Sequence, residues 1–570
     1  MSRSFKHLLR PRYLALSGAC SLFVGSQFVS LDWEDIKYYA SKLFNQKSKE
    51  RRKLKVVVLG TGWAAMSFIQ NLDMDRVDLK VISPRPFFFY TPLLAGTATG
   101  TISHSGIVEP MRWYLRTSTY VQAQCLSLDA ANKSLTCGTT SGIEFKENYD
   151  FLVVAVGAET ATFNIPGVSK YSFFMKEVDD SIKLQKKLLS NLEKAAALMV
   201  IGGDGAESEI NKLLHWVIIG AGPTGVELTA ELSDFIRQDL SKYFPNLADR
   251  VKLTLIEATG RILGPFDDQT AAYAHGTLEN RDVTILCNAP VTSITPNEVE
   301  VKLLKPPSKS GHVGITSSGA QVTSGVPTPS YPHIMNVPYG AVVWAGGISA
   351  RPVTKAICNA IGPAAQSSRW GLLVDSKFRV KGIRDDSVFA IGDCAVTGCG
   401  PTAQAAFQQG TYLGRLLRNN DFDLEKINQA PDFRYNYRGS LAYVGGSKAV
   451  AELKYLLWDQ HPLTDVLPGS KSPTPTSAGS KGSDDRVHVL GLSGFAVWRF
   501  LYYSNLLSGR ARAQVAFDWL RTVLFGREIA STTFEYLPDN RPLSQSTTVT
   551  GNNTAVAVSS PHKRSLWTWW

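Results

Sequence analysis

Cysteine is scarce: the 570-residue chain holds seven, and no two are spaced C-x2-C. That excludes a disulfide-stapled scaffold and the usual zinc or iron–sulfur ligand pairs. Cys394 and Cys399 have C-x4-C spacing, but they follow an apolar strand ending Gly392-Asp393, not the helix behind a first glycine turn, where a disulfide reductase would carry its pair. They read as coincidence. No D-x-[DN]-x-[DN]-G stretch offers a calcium loop, and no metal site is expected. Charged residues make up only 19%, with a net charge of +11. A basic excess suggests nucleic acid or an acidic membrane, but its distribution decides. Residues 1–55 hold 12 Lys and Arg against 4 Asp and Glu, eight of the eleven net charges. The rest of the chain is close to neutral, so no nucleic-acid partner is expected. Hydrophobic residues are plentiful at 44%. That is a globular composition, in a chain long enough for three or four domains of roughly 100–200 residues.

Arg3, Lys6, Arg10 and Arg12 precede the first acid, Asp32. A basic, Ser-containing, acid-free start resembles an organelle presequence. Tyr13–Leu31 then runs 19 residues without a charge, diluted by Ser17, Ser21, Ser26 and Gln27. Crossing a bilayer takes about 20 apolar residues, so this run is just long enough. Residues 1–52 therefore read as a cleaved targeting peptide, a sorting anchor or a secretory signal, followed by a charged linker. An anchor with basic residues before it and Asp32, Glu34 and Asp35 after it would leave the body on the far side of the membrane.

Leu54–Gly60 (LKVVVLG) is a continuous apolar strand of the buried parallel type. It runs into Gly60-Thr-Gly62-Trp-Ala-Ala65 and a helical pattern. In such a turn the first glycine permits the bend and the second lets backbone amides reach a pyrophosphate. The third position needs a small residue for helix–strand packing. The helix N-terminus adds partial positive charge. A second copy follows His215–Gly220: Gly220-Ala-Gly222-Pro-Thr-Gly225, then Val226-Glu227 and a helix. Val251–Glu257 (VKLTLIE) is a strand ending in an acid, placed to accept hydrogen bonds from a ribose 2′-OH and to favour NADH over NADPH. Glu257 lies 37 residues past Gly220, beyond the usual spacing of about 20. An elongated helix and the Tyr243–Asn246 loop account for the excess. Two such units about 160 residues apart point to a flavoprotein with separate FAD and nicotinamide domains. Tyr149–Gly157, with Ala155, and Gly340–Gly347, with Gly346, are apolar strands that return the chain between domains and place backbone near the cofactors. Val388–Cys394 ends in Gly392-Asp393, a carboxylate suited to the ribityl chain of FAD.

Taken together, the chain resembles the type II (alternative, non-proton-pumping) NADH:quinone dehydrogenases over roughly residues 53–535. The discriminating segments are YTPLLAG at Tyr90–Gly96, PTAQAAFQQGTYL at Pro401–Leu413, GSLAYVGGSKA at Gly439–Ala449, and the Arg- and Trp-bearing stretch Ser493–Gly526. The resemblance implies an α/β fold of two Rossmann-like dinucleotide-binding domains plus a C-terminal membrane-associating amphipathic helical segment. It implies that Gly60, Gly62 and Ala65 cradle the FAD pyrophosphate, with Ser83 and Arg85 near its adenosine half. Thr91 and Pro92 would lie near the isoalloxazine, and Asp393 would hold the ribityl and pyrophosphate region. Gly220, Gly222 and Gly225 would take the NADH pyrophosphate, and Glu227 would sit where nicotinamide meets flavin. Ala403, Gln404 and Phe407 would line the quinone approach. Some relatives carry His where Phe407 stands, so a protonation role at that position does not transfer. The implied chemistry is NADH oxidation with two electrons passed through FAD to a membrane quinone, ubiquinone in a mitochondrion.

Domain boundaries follow. Residues 53–170 and 341–435 form the two parts of the FAD domain, the second carrying the quinone segment. Residues 171–340 form the NADH domain, with a Ser/Pro/Gly/Thr-rich insertion at 305–332. Residues 436–535 form the C-terminal region, with another insertion at 468–485, and 536–570 a polar tail. Trp498–Gly526 interleaves aromatic residues with Arg499, Arg510, Arg512 and Arg521. That mixture suits anionic headgroups and an interfacial belt without spanning, or helices packing on the body or in a homodimer. The expected place is the mitochondrial inner membrane, peripheral or singly anchored, with the intermembrane-space face favoured. A chloroplast is the alternative. Competing readings are a sulfide:quinone or ferredoxin reductase-like flavoprotein and an apoptosis-inducing-factor-like protein. The first needs suitably placed redox cysteines and the last a basic body.

Overall fold

The computed structural model describes residues 52–115, 118–306, 331–454 and 486–529. The targeting or anchor segment, most of the 305–332 insertion, all of the 468–485 insertion and the Trp-rich tail lie outside the described residues. The first unit comprises β1 (Leu54–Leu59), α1 (Trp63–Gln70), β2 (Val77–Ile82), α2 (Leu94–Ala98), β3 (Thr119–Val121) and β4 (Phe151–Val154). The second runs β5 (Phe173–Phe174), α3 (Val178–Ile201), β6 (His215–Ile219), α4 (Pro223–Phe235), β7 (Lys252–Ile256), α5 (Asp268–Glu279), β8 (Val283–Leu286) and β9 (Ala341–Trp344). The chain then returns through β10 (Val388–Ala390) and α6 (Ala403–Asn419). It ends in β11 (Gly439–Gly445), β12 (Lys448–Lys454), β13 (Arg486–Leu490), α7 (Gly491–Ser504) and α8 (Gly509–Phe525).

Among the described residues two parallel sheets dominate, ordered β10-β4-β1-β2-β3 and β5-β9-β6-β7-β8. The four-strand cores β4-β1-β2-β3 and β9-β6-β7-β8 have the same order, while the edge strand comes last in the chain in one sheet (β10) and first in the other (β5). Val56–Leu59 are at most 1% exposed, as expected of a strand covered by helices on both faces. In each sheet the glycine turn leaves the carboxyl end of the central strand, where α/β sheets bind ligands. The turns are held alike: Gly60 N–H donates to Ile82 O (2.9 Å) and Gly220 N–H to Ile256 O (2.8 Å).

Two expectations shift. Strand β9 pairs with β6 inside the second sheet, so the nicotinamide unit runs through Trp344 and not to residue 340. The link between units is instead the antiparallel pairing of Ala158–Thr160 with Ile348–Ala350. The C-terminal region is also more than helices: β11-β12-β13 form an antiparallel sheet. The long Gly220–Glu257 spacing has the predicted origin, because α4 continues through a π-turn, Ile236–Leu240, and short helices at Ser241–Tyr243 and Pro245–Ala248.

Helix α6 lies tightly along α1. A Cβ added at Gly410 would overlap the Ala64 carbonyl, and one at Gly414 would lie 2.8 Å from Phe68 O. Glycine there permits backbone-close contact. The two helices run in the same direction, so their N-termini, with their positive ends, converge beside the first glycine turn.

Candidate functional site

The first turn fits a dinucleotide. Gly60 has φ +110°, and an added Cβ would overlap the carbonyl oxygen of Ala155. At Gly62 a Cβ would meet nothing nearer than Arg85 Nη2, at 4.0 Å, so the space over the helix N-terminus is open and a cation borders it. Ala65 is fully buried and acts by helix–strand packing. Gly157 and Gly392 adopt positive φ, +65° and +75°, beside this turn. The amide of Gly392 donates to Gln409 Oε1 (2.7 Å), which fixes the loop bearing Asp393 to α6. Lys176 Nζ stands 3.7 Å from Asp393. Arg85 is bridged through Glu177 to Arg351, at 2.5 and 3.0 Å, a charged rim between the two units. Ser83 is buried with its hydroxyl 3.4 Å from Thr61 Oγ1, so it braces the turn from inside.

In the second turn, nothing lies within 4 Å of a Cβ at Gly222, whereas one at Gly225 would overlap Gly220 O. Gly222 therefore leaves ligand space and Gly225 serves packing. A Cβ added at Gly220 would lie 2.8 Å from the Ala345 backbone and 2.9 Å from Gly346 N. Glu257, distant in sequence, sits against the turn: Oε2 accepts from Ala221 N–H (2.7 Å) and Oε1 from Thr259 N–H (2.8 Å). The acid at the end of β7 thus also clamps the glycine turn.

A small cavity is lined by Pro92, Leu93, Gly96, Glu227, Tyr443 and Trp498, among others. Glu227, on the second turn of α4, is 7% exposed. Its Oε1 accepts from Trp498 Nε1–H (3.1 Å) and Tyr443 N–H (3.2 Å). Burial pushes the carboxyl up to about 8, the hydrogen bonds opposing and Glu231 adding to the rise. From Trp498 a chain of aromatic rings runs outward: Tyr502 (4.8 Å), Tyr90 (6.3 Å), Trp63 (5.2 Å) and Phe407 (6.5 Å) between successive centroids. Trp63 Nε1–H donates to Thr91 Oγ1 (2.9 Å), which ties the first turn to Thr91-Pro92. Gln404 Oε1 accepts from Tyr435 OH (2.8 Å) and Arg438 N–H (3.0 Å), so it is held toward the segment leading into β11. Ala403 and Phe407 share this helix end.

The C-terminal helices depart from expectation. Trp498 is 5% exposed and serves Glu227, not an interfacial belt. The arginines turn onto the protein. Arg499 lies over the Phe495 and Trp519 rings, and Arg510 donates to Val108 O (2.6 Å). Arg512 donates to Leu506 O (3.2 Å), and Arg521 pairs with Glu528 (2.8 Å). The inner face of α8 buries Ala511 and Val515 and is fixed by polar contacts: Asp518 accepts from Ser103 Oγ–H (2.6 Å), and Thr522 donates to Thr101 O (3.0 Å). Its outer face is apolar, with Phe517, Leu520, Val523, Leu524 and Phe525 exposed by 56–76%. No described helix is long and apolar enough to cross a membrane. Cys394 is fully buried, its thiol donates to Val154 O (3.3 Å), and burial pushes it up to about 12. An unreactive thiol fits coincidental spacing.

Trp63, Tyr443, Trp498 and Arg527 are not found by reading along the chain. One signal was available: Glu227, Glu231 and Asp234 stand at i, i+4 and i+7 within an otherwise uncharged helix. Acids on a buried face require partners from elsewhere.

Comparison with known proteins agrees with this geometry. Residues 54–410 match the family model described as pyridine nucleotide-disulphide oxidoreductase, and residues 484–528 the NDH2 C-terminal domain. A probable mitochondrial NADH-ubiquinone oxidoreductase of Schizosaccharomyces pombe is 34% identical, covering 85% of each chain. The external alternative NADH-ubiquinone oxidoreductase of Yarrowia lipolytica, mitochondrial, is 32% identical over 85% of this chain and 82% of its own. The solved structure of NDH2 from Plasmodium falciparum in complex with NADH superposes with TM-score 0.70 at 26% identity, covering 84% of this chain and all of that one. The chain therefore belongs to the pyridine nucleotide-disulphide oxidoreductase family and, within it, to the type II NADH dehydrogenases, the NADH-ubiquinone oxidoreductases.

Proposed function

We propose that this chain oxidises NADH and reduces ubiquinone at a mitochondrial membrane surface, using the cleft between its two glycine turns. The observation that carries the reading is the position of Glu227, buried between the NADH-side helix α4 and the aromatic passage that leads to Phe407. FAD, held by Gly60, Gly62, Arg85 and Asp393, supplies the two-electron relay when bound. The second turn and Glu257 bind and orient NADH. Each turnover takes up one proton besides the hydride delivered by NADH. Glu227 holds that proton: its Oε1 is taken by two donors, leaving Oε2 to carry it, and a carboxyl poised near 8 is protonated at neutral pH yet able to release. The aromatic rings exclude water from the passage and offer an apolar wall to a quinone ring. The test is turnover of purified protein with NADH and a soluble quinone, alongside flavin content. Absence of flavin, or failure of quinone to reoxidise NADH-reduced protein, overturns the reading.

Three narrower expectations follow. Glu257→Gln removes the charge that repels a 2′-phosphate and is expected to narrow the NADH/NADPH preference about tenfold or more. Unchanged discrimination would strip Glu257 of that role. The outer face of α8 is read as resting on lipid, since its polar side is already committed inward and apolar groups that face outward call for an apolar neighbour. Replacing Phe517, Leu520 and Val523 by serine is expected to abolish sedimentation with cardiolipin-containing vesicles while turnover with soluble quinone persists. Retained vesicle binding would refute the membrane contact, and a change from dimer to monomer would assign the face to a second copy. The intermembrane-space face is part of this proposed reading. Protease accessibility in intact mitochondria stripped of their outer membrane checks it.

A further inference from the structure

Glu227 and Glu231 lie one helical turn apart on α4 and line the same cavity. Two buried carboxylates at that spacing are not both charged without a compensating cation. The cation is Arg527, 7% exposed, whose guanidinium stands 3.6 Å from Glu231 Oε2 and donates to Thr101 Oγ1 (2.8 Å), Gln238 Oε1 (3.0 Å) and Asp239 Oδ2 (2.7 Å). Thr101 and Thr99 hydroxyls donate to the same Glu231 oxygen, at 2.6 and 3.2 Å. Glu227, by contrast, takes neutral donors, Trp498 and Tyr443 N–H.

We propose that Arg527 is a positioning residue for the reaction: by pairing with Glu231 it keeps that carboxyl the more acidic of the two, so that the exchangeable proton of the cavity stays on Glu227. This rests on the reading that Glu227 holds the transferred proton. Burial raises the Glu231 carboxyl, and the Arg527 charge is the first influence pulling it back. The other groups facing the pair do not compete. The hydroxyls of Tyr90, Tyr443 and Tyr502 are pushed up by burial and stay neutral. Asp234 is engaged by Arg281 and Tyr443, and Asp239 by Arg527 itself. Arg499 of α7 adds positive field toward Glu231. Arg527 follows directly on α8, behind the left-handed turn at Gly526 (φ +89°), so the helix with the exposed apolar face delivers the cation that sorts the two carboxyls.

The experiment follows turnover with NADH and a soluble quinone from pH 6 to 10 in Arg527→Gln, Glu231→Gln and the double variant. Arg527→Gln leaves an unbalanced negative charge beside Glu227 and is expected to move the basic limb up by about one pH unit. Glu231→Gln removes one of the two carboxylates that share the cation, Asp239 remaining on it, and moves the limb down by a similar amount. The double variant removes both charges together and returns the limb to its original place, and Arg527→Lys keeps it there. A structural role alone would lower turnover without moving the limb, or make the double variant worse than either single one; both overturn the proposal. If Arg527→Gln does not fold, the downward shift in Glu231→Gln decides. Glu227→Gln separates the two levels. A limb that survives it overturns the Glu227 reading and this proposal together. A limb that it removes, but that the charge variants leave in place, overturns this proposal alone.

Discussion

Gly225→Ala is expected to raise the KM for NADH about a hundredfold while the purified protein keeps its FAD. The added methyl would overlap the carbonyl oxygen of Gly220 and sit 3.6 Å from Ala345 Cβ. The obstructing atoms are backbone, so no rotamer change relieves them. The turn itself must move, although it is pinned by Gly220 N–H to Ile256 O (2.8 Å) and Leu263 N–H to Ala221 O (2.8 Å). Overpacking of this kind costs about 1–3 kcal/mol or more, and about 3 kcal/mol of lost NADH binding is roughly a hundredfold. The reciprocal change in the first unit is mild. Ala65 is accommodated there, and Ala65→Gly forfeits one buried methyl, about 0.8 kcal/mol, and adds the helix cost of glycine, roughly 0.5–1 kcal/mol. It is expected to lower the melting temperature by a few degrees with FAD retained. Unchanged NADH kinetics in Gly225→Ala would show that the second turn is not set by this contact.

Glu227→Gln is expected to lower kcat about a hundredfold, within the usual range for a lost general acid, and to remove the fall in rate above pH about 8 that marks its titration. The same group shapes stability. Its carboxyl titrates about 8 in the folded protein against an ordinary 4.5, so its contribution is fully present below the ordinary value and is lost as pH rises through about 8. The loss over the whole range is on the order of 5 kcal/mol. The native protein is therefore expected to melt at a lower temperature at pH 9 than at pH 6, and Glu227→Gln to flatten the difference. Equal pH dependence of melting in both proteins would contradict a buried, protonated Glu227.

Much of the fold is written locally. A fully apolar strand, a turn whose first glycine takes positive φ and a helix behind it are properties of neighbouring residues, and Leu54–Gln70 and His215–Phe235 carry them. Even the delayed Glu257 is explained by chain length spent in an extended helix. The domain edge at residue 340 failed because β9 is an apolar strand like any other. Only its pairing with β6 shows which sheet it joins. The antiparallel sheet β11-β12-β13 was missed because β12 and β13 flank a long intervening segment, so their pairing has no local signature.

The C-terminal segment shows the limit most clearly. Its arginines and tryptophans are the composition of an interfacial helix, yet Trp498 and Arg527 point inward and the exposed face is Phe517 to Phe525. Composition is blind to which side of a helix is already committed. By itself the sequence determined two glycine turns, their order and the acid that ends β7, and the family resemblance pointed to Glu227. Only the tertiary structure decided what Glu227 touches, because its donors Tyr443 and Trp498 are 216 and 271 residues away. Burial by those distant segments, not the local sequence, lifts its proton affinity into the working range.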